Sequence, residues 1–273
     1  MDIINPAKMT NKQNLTDQTL WEDYWEDKPP GNKKKKTSLL VHEILDIFDK
    51  RLPQKQGLQV LEIGGGSGEY LLHLVKKFGY LAHSLDYSAK GNEQTVHSFS
   101  KARETVSVYE RDLFASNQDL PRFDLVFSLG LIEHFENTDL VVQKHLELVK
   151  PGGILLLGVP NYAGIYEPVL KKLAPSITET HNLSVMDLSS WHSFEKKYKL
   201  ETIFKQYIGG FEPLNMKKLE VKTPINRIIY FVIQVLMTIL SFRFRFLRRF
   251  NSRWWSGYMV GIYKKPSAKN EVF

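Results

Sequence analysis

Between residues 59 and 161 short apolar runs alternate with helix-length segments, a rhythm that predicts an open sheet of parallel strands. Val60, Leu61 and Ile63 form one run, and Tyr80-Leu-Ala-His-Ser-Leu-Asp86 forms a second that ends in a carboxylate. Val106 to Tyr109, Phe123-Asp-Leu-Val-Phe-Ser128 and the segment from Pro151-Gly-Gly to Asn161 supply three more. Runs this apolar belong to strands covered on both faces. Farther on, Leu200 to Gly209 alternates with period two, and Gly257 to Lys264 reads as a last strand. Ahead of the sheet, Leu40, Val41, Ile44, Leu45 and Phe48 recur at helical spacing behind Thr37 or Ser38, either of which suits a helix cap. Residues 1–18 are polar and aperiodic and predict a poorly ordered arm, whereas Trp21, Tyr24 and Trp25 should pack on the domain.

Residues 211–256 separate the last two predicted strands, far too many for a hairpin, so they form an insertion. Within it, Arg227, Tyr230, Gln234, Thr238, Ser241, Arg245 and Arg248 share one narrow helical stripe, and apolar residues fill the remaining surface. The apolar parts, Ile228 to Ile233 and Val235 to Leu240, fall short of the roughly 20 residues that span a bilayer, and arginines crowd their end. A helix lying in a membrane interface fits this pattern, with burial against the sheet or in a homodimer contact as the alternatives. Phe242-Arg-Phe-Arg-Phe246 alternates with period two, so the helix should stop near Ser241.

A length of 273 residues suits one α/β domain with an insertion. The absence of cysteine removes disulfides, zinc–thiolate sites and a cysteine nucleophile, and agrees with a reducing cytosol. Met1 to Lys8 lacks the basic region and apolar core of a signal peptide, so the expected location is cytoplasmic, or peripheral at the inner face of the membrane. The net charge of +7 is concentrated, because from residue 211 onward Glu212, Glu220 and Glu271 alone oppose a long series of lysines and arginines. A basic end of this kind favours an anionic partner, whether a phospholipid surface, a phosphorylated substrate or RNA. Lys33 to Lys36, just after Pro29-Pro-Gly31, reads as a solvated linker.

The most specific phrase is Val60-Leu-Glu-Ile-Gly-Gly-Gly-Ser-Gly68, where Glu62, Gly64, Gly66 and Gly68 recur at every second residue. Glycines straight after a central strand let backbone approach a nucleotide-like ligand. A dinucleotide turn needs its third glycine at position 69, where this chain has Glu69. Acid-x-Gly-x-Gly-x-Gly resembles instead the first motif of the class I S-adenosylmethionine (SAM)-dependent methyltransferases, and the resemblance covers roughly residues 37–210 and the end of the chain. It implies an α/β fold with a doubly wound, mostly parallel seven-stranded sheet, whose last two strands form an antiparallel pair at one edge with the amphipathic helical insertion between them. The corresponding regions are an arm and aromatic lid (1–36), a SAM-binding core (37–210), the apolar and basic insertion (211–256) and the final strand and tail (257–273). The resemblance also implies that Glu62, Gly64, Gly65, Gly66, Gly68, Asp86, Tyr87, Asp112, Leu113 and Leu129 hold SAM. Asp86 would accept from both ribose hydroxyls, and Asp112 would lie near the adenine amino group.

Transfer of a methyl group to oxygen needs a proton removed, and a histidine is suited to that. His134, in Leu129-Gly-Leu-Ile-Glu-His-Phe135, directly follows the fourth strand, where loops line the ligand crevice. His181 is an alternative base or a substrate contact, and Tyr24, Trp25, Asn161 and Tyr162 are candidate acceptor contacts. Quinone-pathway O-methyltransferases have a similar Glu-His pair but carry a glutamate where Gly130 stands, so no metal is assigned. Ser128-Leu-Gly-Leu131 lacks the Pro-Pro-aromatic turn of nucleic-acid and glutamine N-methyltransferases, and the paired glutamates of arginine methyltransferases are missing too. No specific nucleic-acid partner is therefore expected. The expectation is methylation of a small or lipid-linked acceptor, most readily at oxygen. The alternatives are a methyltransferase of cell-surface glycan assembly and a SAM-binding partner subunit without turnover.

Overall fold

The computed structural model describes residues 14–26, 39–211, 223–243 and 250–267. The expected cap at Thr37 or Ser38, the run from Lys33 to Lys36, and Arg245 and Arg248 lie outside the described residues. Seven strands form one sheet: β1 (Gln59–Ile63), β2 (Leu81–Asp86), β3 (Val106–Glu110), β4 (Phe123–Leu129), β5 (Val149–Pro160), β6 (Glu201–Phe211) and β7 (Ser256–Lys264). The helices are α1 (Gln18–Glu26), α2 (Leu39–Arg51), α3 (Glu69–Phe78), α4 (Ala89–Ala102), α5 (Thr138–Leu148), α6 (Glu167–Leu173), α7 (Pro175–Glu179), α8 (His192–Lys197) and α9 (Pro224–Arg243). Strand order is β3-β2-β1-β4-β5-β7-β6. Neighbours from β3 to β5 pair parallel, and β7 runs antiparallel to both β5 and β6. The winding reverses between β1 and β4, so a crevice opens above the carboxyl ends of these strands.

The central strands read as continuous apolar runs because both of their faces are covered. On one face Leu61, Ile63, Val126, Leu155 and Leu157 join Val141, Val142 and Leu146 of α5 and Phe194 of α8. On the other, Val60, Leu125, Phe127 and Leu156 meet Ile44 and Phe48 of α2, Leu71 and Leu74 of α3, and Phe99 of α4. Local signals stop and start the helices. The Ser88 hydroxyl accepts from Gly91 N–H at the start of α4, the Asn137 side chain accepts from Leu140 N–H at the start of α5, and Gly79 ends α3 at φ 69°.

The amino-terminal segment differs from expectation where it is described. Asn14 bridges Phe135, Leu15 N–H donates to the His134 carbonyl at 2.8 Å, and α1 begins at Gln18. Its polar residues make specific bonds. Asp17 accepts from Leu20 N–H at 2.8 Å, and Gln18 donates to the Tyr87 carbonyl at 2.9 Å. Glu22 takes the free N–H groups of Ala89 and Lys90 at the amino end of α4, at 2.9 and 3.1 Å. Burial raises the Glu22 carboxyl, but these backbone bonds outweigh it and hold the group below its ordinary value.

Helix α9 ends at Arg243, close to the expected stop. It is not buried against the sheet. Tyr230 and Ile233 pack on Tyr166, Leu170, Leu173, Ala174 and Ile177 of the α6–α7 region, while Ile225, Ile228, Phe231 and Leu236 stand in solvent. At the far edge of the sheet Trp191 is fully buried, donates its indole N–H to the Val185 carbonyl at 2.8 Å, and packs on Phe194 and Tyr263. Trp191→Ala is predicted to lower the unfolding free energy by about 3–5 kcal/mol, read as a shift of the urea midpoint.

Candidate active site

Where β1 ends, Gly64 turns the chain at φ 67° and donates its N–H to the Leu85 carbonyl of β2 at 2.9 Å. Glu62 folds back beneath Gly65, and a Cβ on Gly65 would overlap its carboxyl group. Burial, with the charges of Asp86 and Glu69 added, pushes that carboxyl up to about 8. The Trp25 ring lies over Gly66 so closely that no Cβ fits there, and Gly68 turns at φ 63° against Thr95 at the head of α3. Asp86, at the end of β2, accepts from Ser88 N–H at 2.9 Å, and burial pushes it up to about 6 despite its backbone hydrogen bonds.

Above these groups lies a cavity of about 740 Å³, within the size range of small-ligand sites. Gly64, Gly65, Asp86, Tyr87, Asp112, Leu113 and Leu129 line it, as do Tyr24, Trp25 and His134. Three expected cofactor contacts do not. Glu62 is only 2% exposed and lies behind the turn it supports, and Gly66 and Gly68 are covered by Trp25 and Thr95. Asn161, a candidate acceptor contact, is fully buried and lies outside the cavity lining. Its amide donates to the Arg253 and Ser256 carbonyls at 3.0 and 2.9 Å and accepts from Ala163 N–H at 3.2 Å, which fastens the end of β5 to the start of β7. Tyr162 is also outside the cavity lining, with its ring 5.1 Å from that of His181.

The cavity has walls that the motifs did not announce. Asn14 to Gln18 and Trp21 close one side, and Arg111, Leu131 and Phe135 another. Leu131 directly follows Gly130, and a side chain on Gly64 would press against it. Aromatic clustering flagged Trp21, but residues 14–18 carry no periodic signal at all.

His134 sits in the 3-10 turn Ile132–His134 directly after β4. Its Nδ1 is 2.9 Å from the Thr180 carbonyl, which only accepts, so Nδ1 carries the proton and Nε2 the lone pair. Burial and the neighbouring His181 push its pKa down to about 4, against the raising effect of the Thr180 bond. Trp21 covers the ring edge-on at 5.0 Å. His181 lies behind His134, ring centres 4.4 Å apart, and its Nδ1 faces the Ile177 carbonyl at 2.7 Å. Glu133 is 1% exposed, burial pushes its carboxyl up to about 8, and its Oε2 has no hydrogen-bond partner. One ligand atom from each of Glu133, His134 and His181 lies within 4.8 Å of the others, a donor set that could hold a divalent ion. The sequence placed His134 and His181 apart and assigned no metal; the fold brings the two imidazoles together beside Glu133.

A reversed parallel sheet, a glycine turn at its switch point and strand-end carboxylates around one cavity define a class I SAM-dependent methyltransferase domain, with SAM as its cofactor. Sequence comparison agrees: the methyltransferase domain family matches residues 34–207, and the chain belongs to that family. A ubiquinone biosynthesis O-methyltransferase of Coxiella burnetii is 25% identical over 142 residues, 52% of this chain and 58% of that protein. An uncharacterised protein of Mycobacterium tuberculosis is 31% identical over 124 residues, 43% of this chain and 40% of its own. The chain thus spans little more than half of the Coxiella relative. Among solved structures, a SAM-dependent methyltransferase from Thiobacillus denitrificans in complex with S-adenosyl-L-homocysteine (SAH) shares the fold at a TM-score of 0.53 and 16% identity, covering 85% of this chain and 94% of that one. An N-methyltransferase from Bradyrhizobium japonicum, also with SAH, gives 0.55 and 11%, covering 92% and 100%.

If the Asp86 carboxylate accepts the ribose hydroxyls, it must be ionised to do so. Its pKa near 6 means that SAH affinity should hold above that pH and fall as the pH drops through it. Asp86→Asn is expected to weaken SAH binding by about 10–100-fold near neutral pH and to flatten the pH dependence, both read by titration calorimetry.

Proposed function

We propose that this protein transfers the methyl group of SAM to an oxygen of a small or lipid-linked acceptor, with His134 as the base. The observation that carries the reading is a neutral imidazole on the cavity wall, its proton fixed on Nδ1 by the Thr180 carbonyl, which leaves the lone pair on Nε2, 3.9 Å from Glu133 Oε1. SAM supplies an activated carbon when bound. Gly64 and Gly65 would accommodate it by close backbone approach, and Asp86 and Asp112 by accepting hydrogen bonds. Trp21, Tyr24 and Trp25 of α1 line the cavity.

His134 is a weak base at a pKa near 4, so it favours an acceptor hydroxyl that is itself acidic, such as a phenol or enol, over a simple alcohol. The Coxiella relative is named for O-methylation in ubiquinone biosynthesis, which supports this class of acceptor. Cell-surface glycan remains the competing acceptor, and the assay below separates the two. A second reading has its own observation. The clustered donors of Glu133, His134 and His181 would hold a divalent ion, which would polarise the acceptor oxygen, and the unpartnered Glu133 Oε2 fits that use.

Tritiated SAM incubated with a cell lysate and the protein is expected to label the organic-soluble fraction. Counts confined to polysaccharide overturn the lipophilic acceptor, and no counts in any fraction overturn the enzyme. His134→Ala should lower turnover by about 10²–10⁴-fold while leaving SAH affinity nearly intact. Unchanged turnover removes His134 from the mechanism. Activity that EDTA abolishes and Zn²⁺ or Mn²⁺ restores would select the metal reading over the free base.

A further inference from the structure

We propose that α9 docks the protein on an anionic phospholipid surface, lying flat in the headgroup region. Docking by this helix does not depend on methyl transfer. The helix uses Tyr230 and Ile233 to pack on the α6–α7 region. That leaves a second apolar face, Ile225, Ile228, Ile229, Val232, Val235, Leu236 and Ile239, at the spacing of one helical stripe and in solvent, with Ile225 at 70% and Ile228 at 65% exposure. Phe231 beside it is 67% exposed. An apolar face of this extent on one helix marks an interaction surface.

The exposed surface continues beyond the helix. Tyr166, part of the α9 contact, donates its hydroxyl to the Trp255 carbonyl at 2.8 Å, and Ile165 N–H donates to the Trp254 carbonyl at 3.0 Å. Ile165, Phe250 and Trp254 are themselves exposed, and the Arg253 guanidinium lies 5.0 Å from the Trp254 ring centre. An exposed tryptophan stacked with an arginine has the amphipathic character of an interfacial anchor.

Charge selects the occupant. Between Val221 and Trp255 there is no Asp or Glu, while Lys222, Arg227, Arg243, Arg245, Arg248, Arg249 and Arg253 all fall there. Two copies joined through α9 by a twofold axis would bring like charges together, whereas phosphate headgroups neutralise them. No helix among the described residues is long and apolar enough to cross a membrane, so the helix lies in the interface. The location also serves the cavity. Ile177 lies in the cluster that α9 covers, its carbonyl holds His181, and Thr180 just beyond holds His134.

Flotation of the full chain with vesicles tests this. The protein should float with phosphatidylcholine vesicles containing phosphatidylglycerol, and much less with phosphatidylcholine alone or at high salt. The double variant Phe231→Ser with Leu236→Ser should lower partitioning by about tenfold or more, with SAH binding unchanged as the control for folding. Three outcomes overturn the proposal. One is wild type that stays with the soluble fraction on anionic vesicles, and another is a variant that floats equally well. The third is wild type that sediments as a dimer without vesicles and a variant that sediments as a monomer, in which case the face joins two copies.

Discussion

Glu62 lies so close beneath Gly65 that a side chain on Gly65 would overlap its carboxyl group, and this contact governs how the chain leaves β1. With the glutamate below, the backbone of Gly64 and Gly65 becomes the floor of the cavity. Gly64 is tied to β2 through Leu85, and the Thr95 hydroxyl donates to the Gly66 carbonyl at 2.6 Å, so the turn is held by the neighbouring strand and by α4. Trp25 then rests on Gly66, and Glu22 closes the amino end of α4. Sheet, turn, α4 and the α1 roof therefore share one chain of contacts. A bulkier residue at position 65 would displace the floor and the support of the roof together.

Burial of individual groups around the cavity sets their protonation states. Burial raises the carboxyls of Glu62, Asp86 and Glu133 and lowers His134 and His181. Acids and bases are both pushed toward their neutral forms. What orients chemistry here is thus the fixed carbonyls of Thr180 and Ile177, which decide the nitrogen that carries each imidazole proton. The segment that supplies these carbonyls also supports α9, since Ile177 belongs to the cluster on which Tyr230 and Ile233 pack.

Much of the fold was legible along the chain. Strands covered on both faces must be apolar throughout, so β1, β2, β4 and β5 stand out as runs and end close to where their patterns stop. The glycine turn is visible because positive φ at Gly64, Gly66 and Gly68 is paid for in sequence by glycine. The last two strands and α9 were equally readable, since alternation and helical spacing are local properties.

What the sequence by itself determined is the order of elements, the switch point and the strand-end carboxylates Asp86 and Asp112 beside the cavity. Only the tertiary structure decided that Glu62, Gly66 and Gly68 support the cavity from outside it, that Asn161 fastens two strands, and that residues 14–18 form a wall. It alone brought His181 behind His134 and chose which face of α9 is covered. The physical reason is that a local pattern records whether a position is buried. What it is buried against depends on contacts between residues far apart in the chain, and those are fixed only when the layers pack.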